Sequence, residues 1–178
     1  TKDTADYTGY SLALGSNGKD KIVATRMSIS EPVEVFTIDE KSGKSEQITF
    51  TNKEILKSYT LGKVEKRMIK ATDGKEILTW VIYPPNFDPS KKYPTLLYCQ
   101  GGPQSTVSQF FSYRWNFQLM AANQYIVVAP CRRGMPGFGR KWNDQISKDW
   151  GGQPMNDLLS AIDSVSKEPF VNKNRLGA

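Results

Sequence analysis

The sequence predicts an α/β fold preceded by a group of antiparallel strands, and two apolar runs carry most of this prediction. Residues 95–100 and 125–129 form largely apolar runs that are bounded by proline and glycine. Such runs are typical of strands that are covered on both faces of a sheet. Because catalytic and ligand-binding groups gather at the carboxyl ends of these strands, we expect a functional site where the two runs end.

The composition suits a packed globular chain. The 178 residues are enough for one domain and part of another, and 38% hydrophobic and 11% aromatic residues can form a core. The 24 basic and 18 acidic residues give a net charge of +6, but the basic residues are scattered along the chain. A nucleic-acid surface needs a clustered basic patch, so we predict no nucleic-acid partner.

No part of the sequence has the features of a membrane or targeting segment. No window approaches the roughly 18 apolar residues that cross a bilayer, so we predict no membrane span. The first ten residues lack the charged and then apolar pattern of a signal peptide, which is therefore expected to be absent or already removed.

Residues 1–63 are predicted to form a domain of short antiparallel strands. Four β-rich segments, separated by turns rich in glycine or proline, cover residues 10–14, 21–27, 33–39 and 45–50. Four strands of this spacing match one blade of a β-propeller, although a small antiparallel sheet is an open alternative. A short helix capped by Asn52 follows, and we place the domain boundary near Gly62.

Residues 64–178 are predicted to form the α/β domain. It opens with a hairpin of strands 64–71 and 76–83, since an Asp-Gly pair between two β-rich runs favours a tight turn. The two central strands follow. Residues 174–178 are predicted to begin another strand, so the sequence is expected to end within an element.

Two helices are predicted in this second domain. The first covers residues 112–123 and has Ser112 and Asn123 as caps. Its buried face is expected to contain Trp115, Leu119 and Ala122. The second covers residues 155–167 and ends before Pro169. Its buried stripe is expected to contain Leu158, Leu159, Ile162 and Val165.

The absence of histidine limits the chemistry of this chain. A Ser-His-Asp or Cys-His site cannot be assembled from a sequence without histidine. The two cysteines, Cys99 and Cys131, each lie at the end of a central strand. We interpret them as small buried side chains, and a disulfide between them remains open.

Three patterns in the sequence suggest a functional site but are better explained by structural roles of their residues. Residues 134–139 have the spacing G-x-x-G-x-G rather than the G-x-G-x-x-G of dinucleotide sites, so no cofactor is predicted. Residues 15–18 (GSNG) lie in a predicted hairpin turn and do not match the nucleophile motif G-x-S-x-G. The aspartates in the last third of the chain are Asp144, Asp149, Asp157 and Asp163. They lack the spacing of metal ligands, so we interpret them as helix caps or surface residues and predict no metal.

The Gly101-Gly102-Pro103 turn at the end of the first central strand is a candidate oxyanion-binding site. A turn in this position can direct backbone N–H groups toward an oxygen atom that gains negative charge during a reaction. A tight turn without function is the alternative that the residues leave open.

Five motifs follow one another in the second domain: the hairpin, YPTLLYCQGGPQ, YIVVAPCRRGMPGFG, KDWGG and NRLGA. Over residues 64–178 their order resembles the first half of the catalytic domain of the prolyl oligopeptidase family. The resemblance is closest to the dipeptidyl aminopeptidase and acylaminoacyl-peptidase-like branch. Residues 1–63 are similar to the last blade of that family's β-propeller. The resemblance implies an α/β-hydrolase domain and a serine exopeptidase that releases dipeptides or acyl-amino acids from the N-termini of peptide substrates.

The resemblance also implies where the catalytic groups lie. In the family the strand at Leu176 leads into the nucleophile elbow, so the catalytic Ser, Asp and His are expected beyond Ala178. The chain alone is therefore expected to be inactive and to need the remainder of the same polypeptide. A tyrosine of the family's oxyanion hole corresponds to Gln100, so the oxyanion-hole candidates are Gln100, Gly101 and Gly102. Either the glutamine amide or the N–H groups of the turn can donate there.

Two other functions remain open on the sequence alone: a non-catalytic α/β-hydrolase-like binding module and an esterase on the same fold. The truncated sheet is expected to leave an exposed strand edge through which the chain can self-associate. Members of this branch are often exported from bacteria, so the resemblance implies a periplasmic or secreted location.

Overall fold

The computed structural model describes residues 1–15 and 20–178, and these residues form two compact units. The first unit contains Thr1–Thr60 and Ser108–Asn116, and the second contains Leu61–Val107 and Phe117–Ala178. Residues 108–116 lie within the stretch that the sequence assigns to the second domain, yet they cluster with the first unit.

The first unit is built on a four-stranded antiparallel sheet. Its strands are β1 (Asp6–Ala13), β2 (Lys21–Ser28), β3 (Glu31–Ile38) and β4 (Ser45–Gln47), and each pairs with the next along the chain. The predicted antiparallel unit is thereby confirmed. The motif at residues 15–18 lies largely outside the described residues, since only its first glycine is described.

Helix α1 (Lys53–Leu56) follows the sheet, but Asn52 does not cap it with its side chain as expected. The Asn52 side-chain amide instead donates to the Glu34 carboxylate at 2.9 Å, and its backbone N–H donates to the same carboxylate at 2.8 Å. The buried carboxylate competes successfully for the side chain because an unpaired charge in that position would be costly.

Residues 108–116, which we call the strap, are attached to the first sheet by hydrogen bonds. The Asp6 carboxylate accepts hydrogen bonds from the Ser108 hydroxyl and, at 3.1 Å, from the backbone N–H of Gln109. The Gln109 side-chain oxygen accepts one from the backbone N–H of Ile29 at 3.4 Å. These contacts explain why the strap belongs to the first unit although its sequence neighbours belong to the second.

The second unit contains a mixed five-stranded sheet. Its strands are β5 (Val64–Lys70), β6 (Glu76–Ile82), β7 (Tyr93–Leu97), β8 (Ile126–Pro130) and β9 (Val171–Gly177), in the order β5-β6-β8-β7-β9. The first two strands form the predicted antiparallel hairpin, and β7 runs parallel to both β8 and β9. The α/β fold, both central strands and the final strand are confirmed.

Helix α2 (Phe117–Ala122) is shorter than the predicted helix 112–123. Its buried side chains are Phe117, Gln118 and Ala121. The prediction that Trp115, Leu119 and Ala122 form the buried face is therefore wrong. The Ser112 hydroxyl accepts hydrogen bonds from the N–H groups of residues 114 and 115, which form a turn instead of a first helical turn. The helix begins only where Phe117 can pack inward.

Helix α4 (Gln153–Ser166) covers one face of the sheet, whereas α3 (Arg140–Asp144) is a short surface helix. The core beneath α4 includes Ile162 and Val165, and Leu158 packs against it, as predicted. Leu159 is 43% exposed, so its assignment to the buried stripe is wrong. The buried face also includes the fully buried Asp157, whose charge is paired.

Candidate functional site

The candidate site lies where the chain leaves the carboxyl end of β7. Gly101 and Gly102 are exposed beyond that end, and Gly102 has a φ of +66°. A Cβ at Gly102 would lie 2.9 Å from the Ser105 hydroxyl, whereas one at Gly101 would meet nothing within 4 Å. The turn therefore needs glycine at position 102 for its backbone conformation.

Gln100 is held by Tyr98, two residues earlier in the chain. The Tyr98 hydroxyl donates to Oε1 of Gln100 at 2.7 Å, and the tyrosine ring packs edge-on against Phe117 at 4.8 Å between centroids. Burial raises the pKa of Tyr98, so its hydroxyl stays protonated and able to donate. With Oε1 occupied as an acceptor, the Nε2 amide of Gln100 is left as the donor for another group.

The amide groups of the turn are available as donors. Among the residues that the structure describes, the backbone N–H groups of Gly101 and Gly102 and the Nε2 of Gln100 donate to no acceptor. The structure thus brings all three predicted oxyanion-hole residues together as adjacent donors at an exposed turn. Such donors can stabilise negative charge on a nearby oxygen atom.

Arg132 is a residue of this site that the sequence analysis missed. Its guanidinium is buried and donates to the carbonyl oxygens of Gln100 at 2.9 Å, Pro103 at 3.0 Å and Arg133 at 2.8 Å. Burial lowers the pKa of Arg132 from its usual value. The signal in the sequence was the position of Arg132, which lies two residues beyond the end of β8, the parallel neighbour of β7.

The Arg133 side chain contacts a different set of residues from those of the Gly101-Gly102-Pro103 turn. It bonds to the fully buried Asp157 at 2.9 Å and to Asp73 of the hairpin turn at 2.7 Å, and it stacks over Trp142 at 5.1 Å. Hydrogen bonds from Arg133 lower the pKa of Asp73. The expectation that Asp157 is a helix cap or a surface residue is wrong, since it is the buried partner of an arginine.

The two cysteines are free and have different surroundings. Cys131 is buried and its thiol donates to the carbonyl oxygen of Val107 at 3.0 Å, and burial raises its pKa to about 12. Cys99 is exposed, so the expectation of a small buried side chain is confirmed for Cys131 and wrong for Cys99. The possible disulfide is not formed.

The glycine-rich loop after β8 owes its glycines to backbone geometry. Gly134, Gly137 and Gly139 have φ values of +97°, +100° and +87°, which L side chains rarely adopt. Helix α3, which follows Gly139, has only five residues. The loop contacts the segment that follows the turn, since the Thr106 hydroxyl donates to the carbonyl oxygen of Pro136 at 3.4 Å.

The described residues form neither a cluster of metal ligands nor a membrane-spanning helix. Within residues 1–15 and 20–178, no three His, Cys, Asp or Glu side chains come together as a metal site. In the same part of the chain, no helix has the length and apolar character needed to cross a bilayer.

Comparison with known proteins shows a family match and close relatives. Residues 111–178 match the Prolyl oligopeptidase family. Dipeptidyl-peptidase 5 of Porphyromonas gingivalis is 50% identical to this chain, in an alignment that covers the whole chain and 25% of that protein. Dipeptidyl-peptidase 5 of Porphyromonas endodontalis is 49% identical, in an alignment that covers 99% of this chain and 25% of that protein. A probable dipeptidyl-peptidase 5 of Aspergillus terreus is 47% identical over 54% of the chain and 14% of that protein. The chain thus spans a quarter of the length of the first two relatives.

Solved structures show the same fold. The acylaminoacyl peptidase of Pyrococcus horikoshii matches 99% of this chain over 28% of its own length, with a TM-score of 0.84 and 23% identity. Dipeptidyl peptidase 4 of Porphyromonas gingivalis matches 99% of this chain over 32% of its own length, with a TM-score of 0.72 and 21% identity.

Proposed function

Residues 111–178 belong to the prolyl oligopeptidase family, and on that premise we propose that the complete protein is a serine exopeptidase that releases dipeptides from the N-termini of peptides. Relatives named dipeptidyl-peptidase 5 align with the whole chain at about half identity, which supports dipeptide release. The likeness to acylaminoacyl peptidase concerns the fold, so release of acyl-amino acids ranks second.

We infer that this part of the protein supplies the oxyanion hole. When a serine attacks the scissile carbonyl, the carbonyl oxygen becomes negatively charged in the tetrahedral intermediate. The Nε2 amide of Gln100 and the N–H groups of Gly101 and Gly102 can donate to that oxygen. The observation that carries this proposal is that Tyr98 occupies the glutamine oxygen and leaves its amide free.

The nucleophile and its base come from elsewhere in the polypeptide in this proposal. The chain contains no histidine, so it cannot provide the base of a Ser-His-Asp triad. A fluorophosphonate probe, which reacts with activated serines, should label the complete protein and leave the 178-residue polypeptide unlabelled. Labelling of the 178-residue polypeptide would contradict the assignment of the triad, and a complete protein that resists the probe would favour a non-catalytic binding module.

The role of Gln100 is tested by its substitution in the complete protein. We expect Gln100→Ala to lower kcat on a dipeptidyl substrate by about 100-fold, because removal of one oxyanion donor typically has an effect of this size. Gln104→Ala is the matched control, since the Gln104 amide bonds to Asn143 at 2.9 Å and not to the turn. An unchanged kcat for Gln100→Ala would assign the oxyanion contacts to the backbone alone.

We also propose a periplasmic or secreted location, with peptides as the substrates met there. This proposal rests on the resemblance to the dipeptidyl aminopeptidase branch, whose members are often exported from bacteria. Fractionation of cells after osmotic shock is the test, and recovery of the complete protein with cytoplasmic markers would contradict the proposal.

A further inference from the structure

We propose that Arg132 is a positioning residue, which fixes the backbone of the Gln100–Pro103 turn so that the Gly101 N–H faces the substrate. This inference rests on the proposed function, because it assigns a task in the same oxyanion hole. Arg132 itself does not touch the reacting atoms. It acts through the peptide groups that it holds.

The guanidinium of Arg132 bridges the two ends of the turn. Nη2 donates to the carbonyl oxygen of Gln100 at 2.9 Å, and Nη1 donates to that of Pro103 at 3.0 Å. Nη1 also donates to the carbonyl oxygen of Arg133 at 2.8 Å, which anchors the guanidinium to its own strand end. The glycines between the two bridged carbonyls are therefore held at both sides.

The burial of this charge is not explained by an ion pair. Arg132 is 6% exposed, and within the described part of the chain no carboxylate forms a salt bridge with it. Transfer of a cation from water into a protein interior is costly, and carbonyl dipoles offset only part of that cost. The neighbouring Arg133, by contrast, pairs with Asp73 and Asp157. Arg132 is thus buried in order to bind backbone.

The planarity of the peptide bond converts this contact into an orientation of a donor. In a trans peptide the C=O of one residue and the N–H of the next point in opposite directions. Since Arg132 holds the Gln100 carbonyl, the Gly101 N–H must point away from Arg132. The Gly101 amide is exposed there and donates to no acceptor among the described residues. A donor that is fixed before the reaction does not have to reorganise as charge develops.

A single residue type suits this task. Arginine presents several N–H donors in a rigid planar fork, which can reach two carbonyls at once, whereas the lysine ammonium is a point donor on a flexible stem. Arg132→Lys keeps the positive charge and removes the fork. It therefore separates positioning of the turn from simple electrostatic attraction.

The test measures steady-state kinetics and inhibition in the complete protein. We expect Arg132→Lys to lower kcat on a dipeptidyl substrate by about 10- to 100-fold while KM changes by less than about threefold. The affinity for a dipeptide aldehyde, which forms a tetrahedral adduct with the serine, should fall by a similar factor. Inhibition by the product dipeptide should be unchanged. Arg140→Lys is the matched control, because its side chain is 94% exposed.

Folding is controlled by counting active serines with the fluorophosphonate probe and expressing kcat per labelled serine. Arg132→Met, which leaves no buried charge, serves as the second variant and should show the same loss. Wild-type kcat in Arg132→Lys, or an equal loss of aldehyde and product affinity, would overturn the positioning role and leave the exopeptidase proposal intact. A wild-type protein that neither hydrolyses the substrate nor reacts with the probe would instead reject the proposed function.

Discussion

Gly134 and Gly137 lie in the same loop and have nearly equal positive φ values, of +97° and +100°. They differ in the space around them. A Cβ at Gly134 would lie 2.7 Å from Ile146 Cβ, whereas a Cβ at Gly137 would meet nothing within 4 Å. Substitution of each by alanine therefore introduces similar backbone strain, and only one of them introduces a steric clash.

We expect Gly137→Ala to lower the free energy of unfolding by about 1–2 kcal/mol, the usual cost of a left-handed conformation. Gly134→Ala should cost a further 1–3 kcal/mol or so, because the new methyl group must displace Ile146. Urea unfolding followed by tryptophan fluorescence measures both values. Equal losses in the two variants would show that the loop relaxes and that the contact with Ile146 is not restrictive.

Single residues of the site were only partly predictable from the sequence. Gly101 and Gly102 were identified because they follow an apolar run, and the position of a strand end can be read from such a run. Gln100 was identified only through the resemblance to the prolyl oligopeptidase family. Arg132 and Asp157 were missed because a charged side chain in a sequence is normally assigned to the surface. Their burial depends on partners that are distant in the chain, and the sequence alone does not reveal those pairings.

At the scale of elements, Arg133 connects three segments of the second unit. The hairpin turn contributes Asp73, helix α4 contributes Asp157, and the arginine follows β8. Arg133 and Asp157 are both at least 99% buried, so the loss of either would leave its partner charged and desolvated. The packing of the hairpin turn, the end of β8 and helix α4 against one another therefore depends on the Arg133–Asp157 pair.

We expect Asp157→Asn to lower the free energy of unfolding by about 3–5 kcal/mol, the usual cost of breaking a buried ion pair. Asp163→Asn is the control, since Asp163 lies on the same helix with an exposed side chain. Chemical denaturation of the two variants beside the wild type measures the difference. A loss below about 1 kcal/mol in Asp157→Asn would mean that Asp73 alone satisfies the arginine.

Strands were predicted more accurately than helices, and the reason is physical. Residues of β7 and β8 are buried on both faces, so their composition is apolar whatever packs on them. The start of helix α2 depends on contacts between residues that are distant in the sequence. Because the strap clusters with the first unit, the helix starts only at Phe117. Nothing in the local spacing of Trp115 and Leu119 indicates that change of direction.

At the scale of the whole molecule, β9 is an outer strand of the second sheet. It pairs with β7 on one side, and Leu176 on this strand is 43% exposed. An unpaired strand edge is a template for association with another chain. We expect the 178-residue polypeptide, produced alone, to form oligomers whose sedimentation velocity depends on concentration.

Leu176→Lys should shift that equilibrium toward monomer, because a charge on an edge strand opposes edge-to-edge pairing. Lys173→Arg, which keeps the charge of the same strand, is the matched control. A wild-type polypeptide that sediments as one monomeric species and melts cooperatively would contradict the expectation.

The strap also has a consequence for the order in which the protein is built. Its partners Asp6 and Ile29 are synthesised early, but Ser108 and Gln109 leave the ribosome only after residues 61–107. At 5–20 residues per second, this delay lasts about 2–9 s. During that time the strands of the first sheet have been synthesised, but their hydrogen bonds with the strap cannot yet form.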